Sequence, residues 1–166
     1  MDIRVTSAGR LAFDSLAVPC ALGRGGVTDD KIEGDGATPL GYWPLRSVLY
    51  RADRLAAPAT GLPVHALSEQ DGWCDAPNDT AYNLPVTHPY PASAEHLWLD
   101  DSAYDILVVL GVNDDPVIPH KGSAIFFHLA TPDYTPTQGC VAVALSDMLT
   151  ILTSCSPATH MLIERA

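Results

Sequence analysis

Apolar residues in this chain fall in short runs, and polar turns cut almost all of them before a helix of ordinary length could form. Apolar–polar alternation predicts strands at Ile3–Thr6 and Arg10–Phe13, and a third at Val18–Leu22. Gly23-Arg-Gly-Gly26 punctuates this group. Residues 28–41 are polar and glycine-rich and predict a loop. Strand character returns over Gly41–Tyr50. Residues 51–92 hold many prolines and little periodicity, which predicts a long irregular excursion with brief strands near Val64–Leu67 and Gly72–Cys74. A stretch of this kind usually lines or caps a site.

The second half has clearer periods. Ser93–Trp98 predicts a short helical turn with Ser93 as N-cap. Tyr104–Val112 predicts the central strand, and Ile125–Leu129 and Cys140–Leu145 the next two. Ser146–Ser154 predicts the one clear helix. Ser146 would cap it, Asp147 suits the positive end of its dipole, and Met148, Leu149, Ile151 and Leu152 form an apolar face. Pro157 stops the helix, and His160–Glu164 reads as the last strand. The pattern predicts a single mainly β domain over residues 1–166. Mixed strands would form a β-sandwich with long irregular loops, and a site at a sheet end would lie under the loops of residues 51–92.

Composition narrows the functional classes. Of 166 residues, 47% are apolar and 17% charged, a globular balance. The formal net charge of -11 argues against nucleic acid or an anionic membrane as the main partner, since both reward basic patches. It is compatible with a substrate that presents an amine. The longest apolar run, Ile106–Val112, is too short to span a membrane. Met1–Ser7 lacks the basic start and apolar core of a signal peptide, so no leader is visible. The cysteines Cys20, Cys74, Cys140 and Cys155 form no CxxC pair, and the histidines His65, His88, His96, His120 and His160 show no ligand spacing such as HExxH. No metal and no cofactor is expected. Cys20 and Cys74 read as structural thiols or a disulfide, and Cys155 as packing.

One segment carries chemistry. The apolar run Ser123–Leu129 contains His128, and twelve positions later Gly139-Cys140 opens another apolar run. A reactive thiol needs a base within hydrogen-bond reach and backbone donors beside it. Two adjacent strands joined by the turn-rich loop Thr131–Gln138 could supply both, with His128 and Cys140 facing each other at a sheet edge.

These blocks resemble the L,D-transpeptidase catalytic domain, the YkuD family. The signature of that family is a histidine, a loop, then Ser/Thr-His-Gly-Cys, a hydrophobic residue and Asn or Arg. Here His128 is followed by the loop and by Thr137-Gln138-Gly139-Cys140-Val141-Ala142. Upstream, Asp35–Gly41 with Tyr42, Trp43 and Pro44 is similar to the Lys-Thr-Pro-x-Gly-x-Tyr/Phe segment, and Lys121–His128 to the strand that delivers the histidine. Gln138 and Ala142 depart from the pattern, as a divergent branch would.

The resemblance implies that Cys140 is the nucleophile and His128 the base, with the Leu129 carbonyl orienting the imidazole and the N–H groups of Gly139 and Cys140 forming an oxyanion hole. It implies a thioester acyl-enzyme, with peptidoglycan peptide stems as donor and acceptor, in the periplasm or cell envelope. Gln138 and Thr137 would contact substrate. Trp73, Tyr104, Trp43 and Trp98 are candidates for a binding wall, Arg24 for holding a carboxylate, and Asn83, His120 and Lys121 for pocket positions. Asp100, Asp101, Asp105, Asp114 and Asp115 would supply an acidic field for a diaminopimelate amine. The alternatives are an L,D-carboxypeptidase or amidase using the same thiol, and a non-catalytic peptidoglycan-binding module. A papain-like protease fits less well, because in that family the cysteine opens a helix far ahead of the histidine.

Overall fold

Dense glycine and proline keep the strands short, and the computed structural model describes them over all residues, Met1–Ala166. The N-terminal half holds β1 (Ile3–Thr6), β2 (Arg10–Phe13), β3 (Leu16–Pro19), β4 (Val27–Thr28), β5 (Thr38–Pro39), β6 (Gly41–Tyr50), β7 (Val64–Ala66) and β8 (Asp71–Cys74). Then follow β9 (Pro85–Thr87), β10 (Ala94–His96), β11 (Ile106–Leu110), β12 (Phe126–Leu129), β13 (Val141–Val143), helix α1 (Leu145–Leu152) and β14 (His160–Glu164).

Nine strands build one mixed sheet in the order β13-β12-β11-β6-β14-β1-β2-β3, with β7 beside β6. The pairs β1/β14, β12/β13 and β6/β7 are parallel and the rest antiparallel. The two ends of this path meet. Ala21, just past β3, exchanges backbone hydrogen bonds of 2.8 and 3.0 Å with Ala142 of β13. The sheet therefore curls round one core. Ile3, Val5 and Leu11 from one end pack in the same cluster as Phe127, Val141 and Val143 from the other, with Met148, Ile151 and Leu152 of α1. Burial of this apolar set is the main stabilising term. No helix is long and apolar enough to cross a membrane.

Four expectations need correction. Ser93–Trp98 is not a helical turn: β10 pairs with β8, Glu95 opposite Trp73, and Ser93 donates its hydroxyl to Asp75 instead of capping a helix. The open edge of β8 satisfies backbone groups that a lone helical turn would leave unpaired. The helix begins one residue early, with extended Ala144 as N-cap and no side-chain cap, because the chain runs directly from β13 into the first turn. Leu149 is exposed, so the buried face is Met148, Ile151 and Leu152. All four cysteines are buried free thiols, which excludes the disulfide reading of Cys20 and Cys74.

The excursion over residues 51–92 is only partly irregular. Its β8 and β9 form a small three-stranded sheet with β10. Short pieces also pair at the two ends of the polar 28–41 loop, where β4 and β5 run parallel.

Candidate active site

Strand alternation sorts the side chains of β12 and β13 onto two faces. Phe127, Leu129, Val141 and Val143 turn into the main core. Phe126, His128, Cys140 and Ala142 take the opposite face, and Ala142 stands opposite His128 in the parallel register. His128, Cys140 and Ala142 border one cavity of about 590 Å³. The thiol lies against backbone: Sγ accepts from the Phe126 N–H at 3.3 Å and points its own proton at the Ala124 carbonyl at 3.4 Å. It makes no hydrogen bond to His128 in this resting arrangement.

Backbone packing sets the turn before Cys140. Gly139 has φ +130°, and a Cβ there would lie 2.9 Å from the Ala37 carbonyl oxygen. Gly23 is as confined, since a Cβ would stand 2.2 Å from the Gly36 carbonyl oxygen and 3.0 Å from the Gly139 Cα. Only glycine allows three backbone segments to meet this closely. Thr137 closes the turn. Its Oγ1 donates to the Cys140 carbonyl at 2.7 Å and accepts from the Gly139 N–H at 3.2 Å. The Gly139 N–H is thus shared with Thr137, whereas the Cys140 N–H has no acceptor within the protein. Of the two, the Cys140 N–H is the donor left available to an oxygen in the cavity.

Lys31 packs behind this turn. Its side chain is 9% exposed and forms an ion pair with Asp35. Nζ lies 3.5 Å from where a Gly139 Cβ would be. Asp35 also accepts from the N–H groups of Ile32 and Ala37 at 3.0 and 2.9 Å. Burial would raise its carboxyl; Lys31 and these two donors outweigh that and hold it below the usual carboxylate value.

The imidazole is fixed from two sides. His128 Nδ1 lies 3.0 Å from the Leu129 carbonyl oxygen, so this nitrogen carries the proton and Nε2 is left as the basic atom. Tyr104 meets the ring edge-on, with centroids 5.2 Å apart. Burial pushes His128 below its ordinary value, partly offset by the Leu129 carbonyl and Asp101. Burial and then Glu95 push the Cys140 thiol up to about 12, against the Phe126 N–H and Lys31. Thus the resting pair is a neutral thiol and a neutral imidazole. A thiol held neutral in this way needs a base beside it before it can act as a nucleophile.

The cavity also takes in Gln138, Thr137, Leu129 and Tyr104. Seven other sequence candidates lie elsewhere. Trp73 is buried in a second cavity, edge-on to Phe126. Asn83 is buried and spends its amide on protein groups, accepting from Trp73 Nε1 and the Ala124 N–H and donating to the carbonyls of Val112 and Asn113. It holds Ala124 at φ +54°, a left-handed conformation that a non-glycine residue rarely takes. Arg24 is exposed, its side chain laid over Gly36. Lys121 is exposed and paired with Asp30. His120 bonds Asn78, outside the cavity. Trp98 lies under the Arg51 guanidinium, and Trp43 bonds the Pro39 carbonyl.

Of the five aspartates expected to form an acidic field, only Asp101 borders the cavity; Asp105 is held by Arg54 and Asp114 by Arg46. The field comes instead from Glu33, Asp75, Glu95 and Asp101. From residues 51–92 only Asp75 reaches the cavity, so the expected capping role passes to residues 33–36 and 95–104. Glu33 and Lys31 sit in the polar stretch just before Thr38-Pro39, which the sequence marks only as a loop. Glu95 has no sequence signal, because its place depends on β10 pairing with β8.

A thiol, a base with a fixed tautomer and an unused backbone donor in one cavity suit acyl transfer through a covalent intermediate. No cluster of three or more His, Cys, Asp or Glu is arranged to hold a metal ion. A family model described as YkuD, the L,D-transpeptidase catalytic domain, matches residues 5–163. No curated protein and no solved structure matches the chain.

Proposed function

The chain belongs to the L,D-transpeptidase catalytic domain family, which acts on peptidoglycan, and from that premise we propose that it cross-links peptidoglycan peptide stems through a thioester on Cys140. The observation that carries this reading is the shared cavity of Cys140 and His128, with His128 Nδ1 committed to Leu129 and Nε2 free. His128 takes the thiol proton as the sulfur attacks a stem carbonyl. The Cys140 N–H receives the developing oxyanion, and the leaving amine departs with the proton from His128. An acceptor amine then attacks the thioester, its surplus proton returns through His128 to the sulfur, and the free thiol is restored. The linkage joins two third-position residues, or a non-standard pair such as first to third. The site of action is the bacterial envelope, where the substrate lies, and the activity belongs to wall remodelling and cell shape.

A hydrolase reading uses the same thiol with water as acceptor. The four carboxylates and the absence of Lys and Arg around the cavity favour an amine acceptor over it. Disaccharide-tetrapeptide incubated with the protein and analysed by mass separates the two. Joined dimers support transfer, whereas shortened monomers alone would establish an L,D-carboxypeptidase or amidase. Unchanged substrate would leave a binding module.

A further inference from the structure

The cavity contains a carboxylate with no part in the chemistry above. Glu95 sits on β10, placed by its pairing opposite Trp73 on β8. Its Oε1 accepts the Tyr104 hydroxyl, and Tyr104 in turn lies edge-on to His128. Glu95 Oε2 has no protein partner, yet no buried side-chain oxygen in the molecule is left unpaired, so this atom opens into the cavity. The other lining carboxylates are differently placed. Glu33 accepts from Tyr82, Ser123 and the Gly34 N–H. Asp75 accepts from Ser93, and Asp101 is exposed and accepts from the Ala103 N–H. Glu95 alone joins a desolvated position, an open oxygen and a link through Tyr104 to the base.

We propose that Glu95 receives the ammonium group of the acceptor and takes one proton from it, so that this residue directs the acyl group to an amine instead of water. The inference rests on the transferase reading above. An ammonium cannot attack a thioester, and His128 has a separate task in the same step. The protons balance as follows. The acceptor ammonium gives one proton to Glu95 Oε2 and becomes a neutral amine. Its nitrogen forms the C–N bond as the C–S bond breaks. The second proton leaves the nitrogen for His128 Nε2 and passes to the Cys140 sulfur. Glu95 later releases its proton to solvent.

Burial, opposed by the Tyr104 hydroxyl and reinforced by Asp75 and Glu33, lifts the Glu95 carboxyl to about 7, where it can both accept and release a proton near neutrality. The titratable groups facing it are Tyr104, Asp75, Glu33, Asp101, His128 and Cys140.

The test follows two products of one reaction. Disaccharide-tetrapeptide is mixed with the wild type, Glu95→Gln and Glu95→Asp, and acyl-enzyme, joined dimer and trimmed monomer are quantified by mass at pH 7 and pH 9. In Glu95→Gln the joined product should fall about a hundredfold further than acyl-enzyme formation does, with partial recovery at pH 9 as more acceptor is neutral. Glu95→Asp, which keeps the carboxylate, should fall between the two. Joining and acylation that decline in step would overturn the proposal and leave Glu95 a structural partner of Tyr104. An unchanged ratio of joined to trimmed product would overturn it as well. A wild type that only trims would remove the transferase reading, and this proposal with it, before any variant is compared.

Discussion

Lys31 and Gly139 meet behind the cavity wall, with the ammonium 3.5 Å from the position a Gly139 Cβ would occupy. The contact links two distant segments of sequence, the polar loop before β5 and the turn that presents Cys140. It also places a positive charge, already balanced by Asp35, next to the turn that presents Cys140. The cation favours the thiolate, opposing the burial that disfavours it.

Lys31→Met should therefore slow alkylation of Cys140 by iodoacetamide at pH 8, by about threefold to tenfold, with the fold intact by circular dichroism. Lys31→Arg should retain most of the rate. Equal rates in Lys31→Met and the wild type would make the pair purely structural. The pair also has a pH signature. The Asp35 carboxyl is lower in the folded protein than unfolded, so its contribution is full above about pH 4 and is lost as pH falls through the folded value. In Lys31→Met the melting temperature should fall less steeply with acid than in the wild type.

Gly139→Ala should be far more damaging than its size suggests. The residue sits at φ +130°, and the added methyl would meet the Ala37 carbonyl at 2.9 Å. Strain of about 1–3 kcal/mol is expected, together with displacement of the Cys140 N–H. Activity should be lost at temperatures where the variant is still folded. A variant of normal turnover would show that the turn is not part of the machinery.

The resting neutral pair has a kinetic consequence. Burial raises the Cys140 thiol to about 12 and lowers His128. Alkylation of the free enzyme should climb steadily from pH 7 to pH 10, without the low-pH plateau of a preformed thiolate–imidazolium pair. A plateau below pH 8 would contradict this. Stability should respond in two windows. The Cys140 contribution is full below the unfolded thiol value of about 8.5 and is lost as pH rises towards 12. The His128 contribution is full above about 6.5 and is lost as pH falls through its lower folded value. Cys140→Ala should flatten the alkaline limb of a melting-temperature profile.

Asn83→Ala tests the assignment of Asn83 to the scaffold. It would strand the Trp73 Nε1–H and the Ala124 N–H, and free the two carbonyls of Val112 and Asn113. A loss of about 3–5 kcal/mol is expected, read as a melting temperature lower by about 10 °C. Since Ala124 accepts the Cys140 S–H proton, the alkylation rate should change too. A variant of unchanged stability that binds stem peptide poorly would return Asn83 to the pocket.

What the sequence revealed was what local pattern and spacing carry. The apolar runs Ile125–Leu129 and Cys140–Leu145 pointed to adjacent strands carrying His128 and Cys140, and the structure has β12 and β13 paired there. What stayed hidden depended on pairing across long separations. Ser93–Trp98 has the composition of a capped turn, but the exposed edge of β8 draws it into a strand and delivers Glu95 to the cavity. Trp73 and Asn83 look like pocket residues as types, yet their polar atoms are consumed by each other and by backbone. Lys31 reads as a solvated loop lysine, and only the fold shows it packed against Gly139.

The most direct test of the account is the mass of the protein trapped during turnover of disaccharide-tetrapeptide. The prediction is a covalent acyl adduct that maps to the peptide containing Cys140, forms slowly in His128→Ala and is absent in Cys140→Ala. An adduct on any other residue, or product released by Cys140→Ala, would contradict the assignment of Cys140 as the nucleophile.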